Sequence, residues 1–237
     1  MPGLDRPARQ RLVPNRSANA VAVGLDFEER LALGVGHAKV CRGRGPVMAE
    51  ALAAAIEPGC SGIISFGIAG GLDPRLPAGP HIVASSVIGA SGVIATDAGW
   101  SQRLLGARPD AVHAPVLGVD APVMGPIGKL RKFRRTGAVA VDMESHIAAE
   151  VATSHGLPFA VFRVIADPAH LRLPRAALSA MRDDGSLDGL AVLRALLRAP
   201  AEIAGLIAVA RHTAVARLAL TRAHRGLGRG FGLADFG

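Results

Sequence analysis

The stretch SGIISFGIAGG, residues 61–71, predicts a buried β-strand over Ile63–Phe66 that runs into a glycine-rich loop at Gly67, Gly70 and Gly71. Its apolar run is short and bounded by glycine, which favours a strand over a helix. Similar runs predict further strands at Ala20–Leu25, Leu31–Gly36, His81–Ile88, Pro115–Val119, Gly137–Val141 and Pro158–Ile165. Because these runs alternate with helical stretches such as residues 46–57, we expect an α/β layer fold with a mainly parallel sheet.

The sequence changes character beyond about residue 175, where the strand pattern stops. Residues 188–199 and Ala201–Thr221 predict two helices, and apolar side chains form a stripe along the second. We therefore expect the chain to have four parts. Residues 1–18 would form a polar, disordered tail, and residues 19–175 would form an α/β domain. Residues 176–225 would form an amphipathic basic helical extension, and residues 226–237 would form a frayed C-terminus.

Composition and charge exclude several classes of protein. The 237 residues are 50% hydrophobic and 19% charged, which predicts a globular chain with a sizeable core. The net charge of +8 is carried by the two ends, since residues 19–188 are neutral. Seven Phe, one Trp and no Tyr are too few to stack bases, so we predict no nucleic-acid partner. The basic ends leave two interpretations open, a solvated surface or contact with an anionic membrane.

Location and metal content are also predicted from composition. The uncharged run Ile203–Ala210 is far shorter than the roughly 20 residues of a membrane-spanning helix. The N-terminus lacks the apolar core of a secretory signal, so we expect a cytoplasmic protein, with peripheral contact to the inner face of the membrane as an option. Cys41, Cys60 and the scattered histidines lack metal-ligand spacing, which predicts no metal site.

Acidic residues follow three of the predicted strands, where ligands gather in α/β sheets. Glu28 and Glu29 follow the first strand. Glu144 lies in the first turn of a helix that Asp142 caps, where a carboxylate suits a pair of ribose hydroxyls or merely balances the helix dipole. Asp167 lies between an apolar strand and a proline, where burial would keep a proton on it for donation. An ordinary turn before the proline is the alternative.

Two glycine-containing segments could approach an anion. GIAGGL, residues 67–72, allows close approach of the backbone but matches no established phosphate-binding motif. CRGRG, residues 41–45, places Arg42 and Arg44 before a helix, and both helix N-termini and arginine favour phosphate. A surface turn explains the same spacing equally well.

Three blocks occur together in one order: GIAGGLDPRLPAGPHIVAS (67–85), VDMESHIAAEVA (141–152) and PFAVFRVIAD (158–167). This set resembles the superfamily of purine nucleoside phosphorylases and methylthioadenosine/S-adenosylhomocysteine nucleosidases. Within it, the chain is similar to hopanoid-associated phosphorylases, which release adenine from adenosylhopane. The resemblance implies a three-layer fold with a central mixed sheet flanked by helices, plus a C-terminal helical extension. It also implies a homo-oligomer without cofactor, with phosphate as co-substrate and a lipid-linked adenine nucleoside as substrate.

The resemblance assigns roles to individual residues of this sequence. Asp167 would be the general acid toward N7 of the purine, and Glu144 with the Met143 backbone would hold the ribose hydroxyls. Glu29 takes the position of the acid that activates water in the nucleosidases. Gly24 and the loop from Ser65 to Gly71, including Gly67, would line the side from which water or phosphate attacks.

Departures from the family pattern leave the nucleophile and the base contact open. Pro122 stands where the nucleosidases have a stacking Phe, so Phe162 or an apolar wall that includes Val123 would contact the purine. Ser65 stands where many phosphorylases have an arginine, so Arg42 or Arg44 would supply the charge that binds phosphate. Three activities remain open at this stage: phosphorolysis of a lipid-linked nucleoside, hydrolysis of a small soluble nucleoside through Glu29, and a membrane-surface or nucleoside-sensing module without catalysis.

Overall fold

The computed structural model describes residues 19–34, 38–56, 59–174, 202–228 and 230–233. Eight strands lie within these ranges, namely β1 (Asn19–Val23), β2 (Ala38–Arg42), β3 (Ile63–Gly71), β4 (His81–Gly89), β5 (Gly92–Ala95), β6 (Val112–Gly118), β7 (Ala140–Asp142) and β8 (Phe159–Asp167). The helices there are α1 (Asp26–Leu33), α2 (Gly45–Ile56), α3 (Ala98–Ala107), α4 (Pro126–Thr136), α5 (Ser145–Ser154) and α6 (Ile203–Gly226).

The eight strands form one mixed sheet in the order β2-β1-β3-β7-β6-β4-β5, and β8 pairs with both β3 and β4. As a result, β3, β7, β6, β4 and β8 close into a ring of paired strands. The pairs of β3 with β7, β4 with β5 and β4 with β8 are antiparallel, and the others are parallel. The predicted α/β fold with a mixed sheet and a C-terminal helix is therefore confirmed.

The central strands are buried on both faces, as their apolar runs in the sequence predicted. Successive residues of a strand point to opposite faces, so β1 sends Ala22 to one apolar core and Val23 to the other. Helices α2 and α5 cover the first core with Met48 and Ile147 among others, and helices α3 and α6 cover the second with side chains that include Trp100.

Two local predictions near the site are wrong. The described part of the predicted strand Leu31–Gly36, residues 31–34, is not a strand: α1 continues to Leu33 and buries Glu28 and Ala32 on one face. The predicted glycine-rich loop is part of a strand, since β3 extends to Gly71. Its backbone pairs with β8 as far as Gly70, with a bulge after Ala69, and Gly70 and Gly71 also pair with β7. The backbone of the glycines is therefore held in the sheet.

The C-terminal region differs from the prediction in how it ends. The predicted second helix is present as α6, and its last turns contribute Ala216, Leu220 and Ala223 to the core. Instead of fraying after residue 225, the chain buries Phe231 completely, and the Trp100 indole Nε1 donates a hydrogen bond of 2.8 Å to its carbonyl. The expected tail over 1–18 and the expected helix over 188–199 lie outside the described residues.

Among the described helices, α6 alone is long and apolar enough, by length and composition, to cross a membrane. The possibility of a membrane-crossing helix was not predicted from the sequence, because the uncharged run Ile203–Ala210 is much shorter than the whole helix. Such a helix is weak evidence for a membrane span, since the core helix of a soluble protein passes the same test.

Candidate active site

A buried arginine of β8 organises the first part of the site. Arg163 is fully buried, and its Nε lies 2.8 Å from Oδ2 of Asp142 and its Nη2 3.2 Å from Oε2 of Glu144. Nη2 also donates a 2.6 Å hydrogen bond to the Ser65 hydroxyl. Because side chains alternate along neighbouring strands, Ser65 and Arg163 project from the same face of the sheet, toward α5.

Glu28 adds a second buried carboxylate beside Arg163. Its Oε2 accepts hydrogen bonds of 2.9 Å from the backbone N–H groups of Gly24 and Leu25, and its Oε1 accepts one of 2.7 Å from Ile68. Burial raises the pKa of Glu28 from 4.5 to about 7, although the Arg163 charge opposes that rise. A carboxyl with a pKa near 7 can exchange a proton at neutral pH, as a general base requires.

Glu144 lies immediately before α5, which begins at Ser145 and not, as predicted, at Asp142. Asp142 nevertheless caps this end, since its Oδ1 accepts hydrogen bonds from the backbone N–H groups of Glu144 (3.2 Å) and Ser145 (2.9 Å). Burial raises the pKa of Glu144, and the charges of Arg163 and Arg44 oppose the rise. Arg44 therefore lies close enough to influence the cluster.

The two glycines that line the cluster are needed for close approach. A Cβ on Gly24 would lie 2.5 Å from Oε1 of Glu144. A Cβ on Gly67 would overlap the Glu28 carboxyl group and would lie 2.7 Å from Nη1 of Arg163. The backbone of both glycines therefore lies directly against the charged groups.

Asp167 forms the second part of the site at the end of β8. Its Oδ2 accepts a 2.6 Å hydrogen bond from Nζ of Lys129, a residue of α4. Burial raises the pKa of Asp167, while the Lys129 ammonium opposes the rise. Oδ1 is directed toward Gly70, where a Cβ would come within 2.8 Å. Gly70 and Gly67 are three residues apart on β3, so the two parts of the site are roughly 10 Å apart.

Three predicted site residues, Glu29, Arg42 and Phe162, lie elsewhere. Glu29 and Arg42 form an ion pair of 3.1 Å outside the cluster, and Arg42 also pairs with Asp26. A helix turns about 100° per residue, which points Glu29 away from the Arg163 cluster that Glu28 enters. Phe162 is fully buried 6.1 Å from Phe66, ring to ring, in the core beneath α6. Strand alternation directs it away from the site, so it cannot stack on a purine there.

The remaining predicted residues lie near the two parts of the site. Val123 packs in a small apolar cluster with Leu72 and Val141, and a side-chain methyl of Val141 lies beside the same Gly70 position as Asp167. Met143 is half-buried between Asp142 and Glu144. Within the described residues, no group of three or more His, Cys, Asp or Glu side chains could hold a metal ion.

The buried cations Arg163 and Lys129 were not identified from the sequence, and of the two glutamates of α1 it is Glu28, not the chosen Glu29, that lies in the cluster. An arginine inside the apolar run AVFRVI is a signal for Arg163, because a buried charge needs partners. Lys129 has a weaker signal, since it is one of five basic residues on α4. Which of Glu28 and Glu29 enters the cluster depends on the rotation of α1 about its own axis, which the sequence does not show.

Comparison with protein families identifies the class of enzyme to which this chain belongs. Residues 27–198, well over half of the chain, match the family model described as the phosphorylase superfamily. The chain therefore belongs to the phosphorylase superfamily, and it is an enzyme of the nucleoside phosphorylase and N-ribosyl hydrolase class. A search of curated proteins finds no significant match.

Solved structures share the fold at low sequence identity. The futalosine hydrolase of Helicobacter pylori aligns with a TM-score of 0.66 at 14% identity, covering 90% of this chain and 97% of that one. The methylthioadenosine/S-adenosylhomocysteine nucleosidase of Neisseria meningitidis, in complex with methylthio-immucillin-A, aligns at 0.61 with 16% identity, covering 89% and 98%. The S-adenosylhomocysteine nucleosidase of Streptococcus pyogenes, in complex with 5-methylthiotubericidin, gives 0.57 and 18%, covering 85% and 98%.

Proposed function

We propose that this enzyme cleaves the N-glycosidic bond of an adenine nucleoside and releases adenine. One observation carries the proposal: Asp167, a buried acid whose pKa is raised by burial, lies roughly 10 Å along β3 from a buried cluster of Glu28, Glu144 and Arg163. A purine at Asp167 would place its ribose toward that cluster. Val123 and Val141 would form the apolar wall beside the base, in place of an aromatic ring.

Asp167 and Glu144 have separate tasks in the bond-breaking step. Asp167 transfers its proton to N7 of adenine while the bond between N9 and C1′ of the ribose breaks and its electron pair remains on the purine. Adenine then leaves as a neutral molecule, which is a better leaving group than an anion. Glu144 holds the ribose hydroxyls and stabilises the positive charge that develops on the sugar.

The charges around Glu28 support water as the nucleophile. Three buried carboxyl groups, those of Glu28, Asp142 and Glu144, surround the single guanidinium of Arg163. A phosphate dianion entering this cluster would be repelled, whereas water is neutral and could give its proton to Glu28 as its oxygen bonds to C1′. The products are then adenine and the 5′-substituted ribose, and the proton on Glu28 returns to Asp167 through solvent.

Phosphorolysis is the second candidate, and Arg44 favours it. The charge of Arg44 reaches Glu144, as its effect on the pKa of that carboxyl indicates, and Arg44 lies directly before α2. A phosphate ion bound between Arg44 and the N-terminus of α2 would approach the ribose from the same side as water. In that case the product would be a ribose 1-phosphate that carries the 5′ group.

The 5′ group is proposed to be large and apolar, as in adenosylhopane, and α6 supports this part. Ile203, Ile207 and Leu218 are about half exposed and share a face of the helix with Arg211 and Arg222. We call these five residues the exposed stripe. An apolar face with arginines suits the interface of an anionic membrane, where such a substrate would reside. The enzyme would then be peripheral on the inner face of the membrane.

The decisive experiment measures adenine release from adenosylhopane in detergent or vesicles, with and without phosphate, beside methylthioadenosine. Release that does not need phosphate is the expected result and identifies a hydrolase. Release that requires phosphate identifies the second candidate. Cleavage of methylthioadenosine alone would overturn the lipid-linked substrate, and no release from either nucleoside would overturn the proposed activity.

The adjacent pair Glu28 and Glu29 tests the water-activating residue. Glu28→Gln should lower kcat by roughly 10²–10⁴-fold, the usual worth of a general base. Glu29→Gln should change kcat less than about twofold, because it removes only a half-exposed ion pair. In the wild type, kcat/KM should fall as the pH drops through about 7, where Glu28 becomes protonated. A large loss in Glu29→Gln with a normal Glu28→Gln would reverse the assignment.

The exposed stripe gives a prediction for membrane binding. The double variant Ile207→Asp/Leu218→Asp should bind vesicles that contain anionic phospholipid at least about tenfold more weakly. The reason is that the two apolar side chains, whose transfer from water into the membrane favours binding, have been removed. Val93→Asp is the matched control, since Val93 is 68% exposed on β5 and lies outside α6. Equal binding by the double variant and the control, measured by vesicle co-sedimentation, would contradict the membrane assignment.

A further inference from the structure

Lys129 carries a buried positive charge that has no role in the reaction proposed above. Only 1% of its side chain is exposed, although α4 has several other basic residues. Its ammonium group donates a 2.6 Å hydrogen bond to Oδ2 of Asp167 and contacts three backbone carbonyls, those of Asp167 (3.1 Å), Pro168 (3.0 Å) and Leu171 (3.3 Å). A buried ammonium is costly unless it is paired and hydrogen-bonded, and this set of acceptors satisfies it.

These contacts make the two oxygens of Asp167 unequal. Oδ2 is bound to Lys129. Oδ1 is directed toward Gly70 and lies so close that a Cβ on Gly70 would not fit. The carbonyls of Asp167, Pro168 and Leu171 accept from the same ammonium, so the turn that follows β8 is anchored to α4. The carboxyl group is thus fixed both through its own Oδ2 and through its backbone.

We propose that Lys129 is a positioning residue for the acid Asp167, which binds Oδ2 and the turn beyond β8 so that Oδ1 carries the proton to the purine. This inference rests on the proposed N-glycosidic cleavage. When the proton leaves Oδ1 for N7 of adenine, Asp167 becomes a buried carboxylate, and the Lys129 ammonium stabilises that charge.

Charged groups face Asp167 from two helices. Lys129 approaches from α4, and His212 of α6 also acts on the carboxyl. Both lower the pKa of Asp167, whereas burial raises it and is the larger effect. Burial therefore shifts Asp167 toward its protonated form, and the Lys129 ammonium favours the carboxylate that remains after the proton has been transferred.

The test compares Lys129→Met with Lys132→Met, which removes another lysine of α4. In Lys129→Met, the high-pH limb of the kcat/KM profile should move up by about 1–3 pH units, the usual influence of an opposite charge at this distance. The plateau of kcat should fall roughly tenfold while KM changes little, because the acid is weaker and less well placed. Lys132→Met should match the wild type.

A second variant and a direct titration separate the possible failures. Lys129→Gln keeps hydrogen-bond donors without the charge, so it should show the same shift if Lys129→Met folds poorly. The carboxyl ¹³C signal of Asp167 should titrate at higher pH in both variants. An unchanged profile and titration in active protein would overturn the role of Lys129. Absence of adenine release in the wild type, with the titration shift intact, would instead overturn the proposed reaction.

Discussion

Asp167→Asn is expected to lower kcat for adenine release by about 10²–10⁴-fold while the affinity for substrate is largely kept. Asparagine has nearly the same shape but carries no acidic proton, so adenine would have to leave as an anion. The fold should tolerate the change, because the asparagine oxygen can still accept from Lys129 and the three carbonyl contacts of Lys129 remain. Single-turnover rates and equilibrium binding of a nucleoside would separate the two effects.

Asp110→Asn provides the control for this experiment. Asp110 is largely exposed and pairs with Arg108 before β6, away from the site. Its variant should keep the wild-type rate within about twofold, as expected for a surface ion pair. An Asp167→Asn variant that retained the wild-type rate would exclude Asp167 as the acid. Wild-type and variant proteins that were equally inert on every adenine nucleoside would remove the support for the activity itself.

Arg163→Met is expected to lower the free energy of unfolding by about 3–5 kcal/mol at neutral pH. The substitution leaves the buried carboxyl groups of Asp142, Glu144 and Glu28 without their common cation. Methionine fills much of the same volume, so the loss should come mainly from uncompensated charge and not from a cavity. Urea unfolding at pH 7 measures the loss, and Arg131→Met, which changes an exposed residue of α4, is the matched control.

The pH dependence identifies the cause of that loss. Without Arg163 the pKa values of Glu28 and Glu144 should rise further, so the folded variant binds protons more readily than the unfolded chain. Its deficit relative to the wild type should therefore shrink as the pH is lowered from 7 toward 5. A deficit that stayed constant over this range would indicate that packing, and not charge, is what Arg163 contributes.

The local pattern of the sequence was sufficient for six of the eight described strands, all except the edge strands β2 and β5, and for the position of Asp167. Runs such as Pro158–Ile165 are apolar on both faces except at Arg163, and an acid placed directly after such a strand must lie where the strand ends at the edge of the sheet. The pattern failed at α1, where two adjacent glutamates have the same propensity. It also failed at Gly67–Gly71, because glycine signals a turn locally although pairing with β8 holds it in a strand.

What the sequence by itself determined is the fold class, the chain order of the three blocks and the acids that end the strands. These follow from interactions between residues near one another in the chain, such as apolar periodicity and helix capping. Only the tertiary structure decided that Glu28 and not Glu29 joins Arg163, that Phe162 faces the core and that Lys129 pairs with Asp167. Those outcomes depend on the phase of a helix or strand against distant elements, which the packing of the whole domain sets and no local pattern contains.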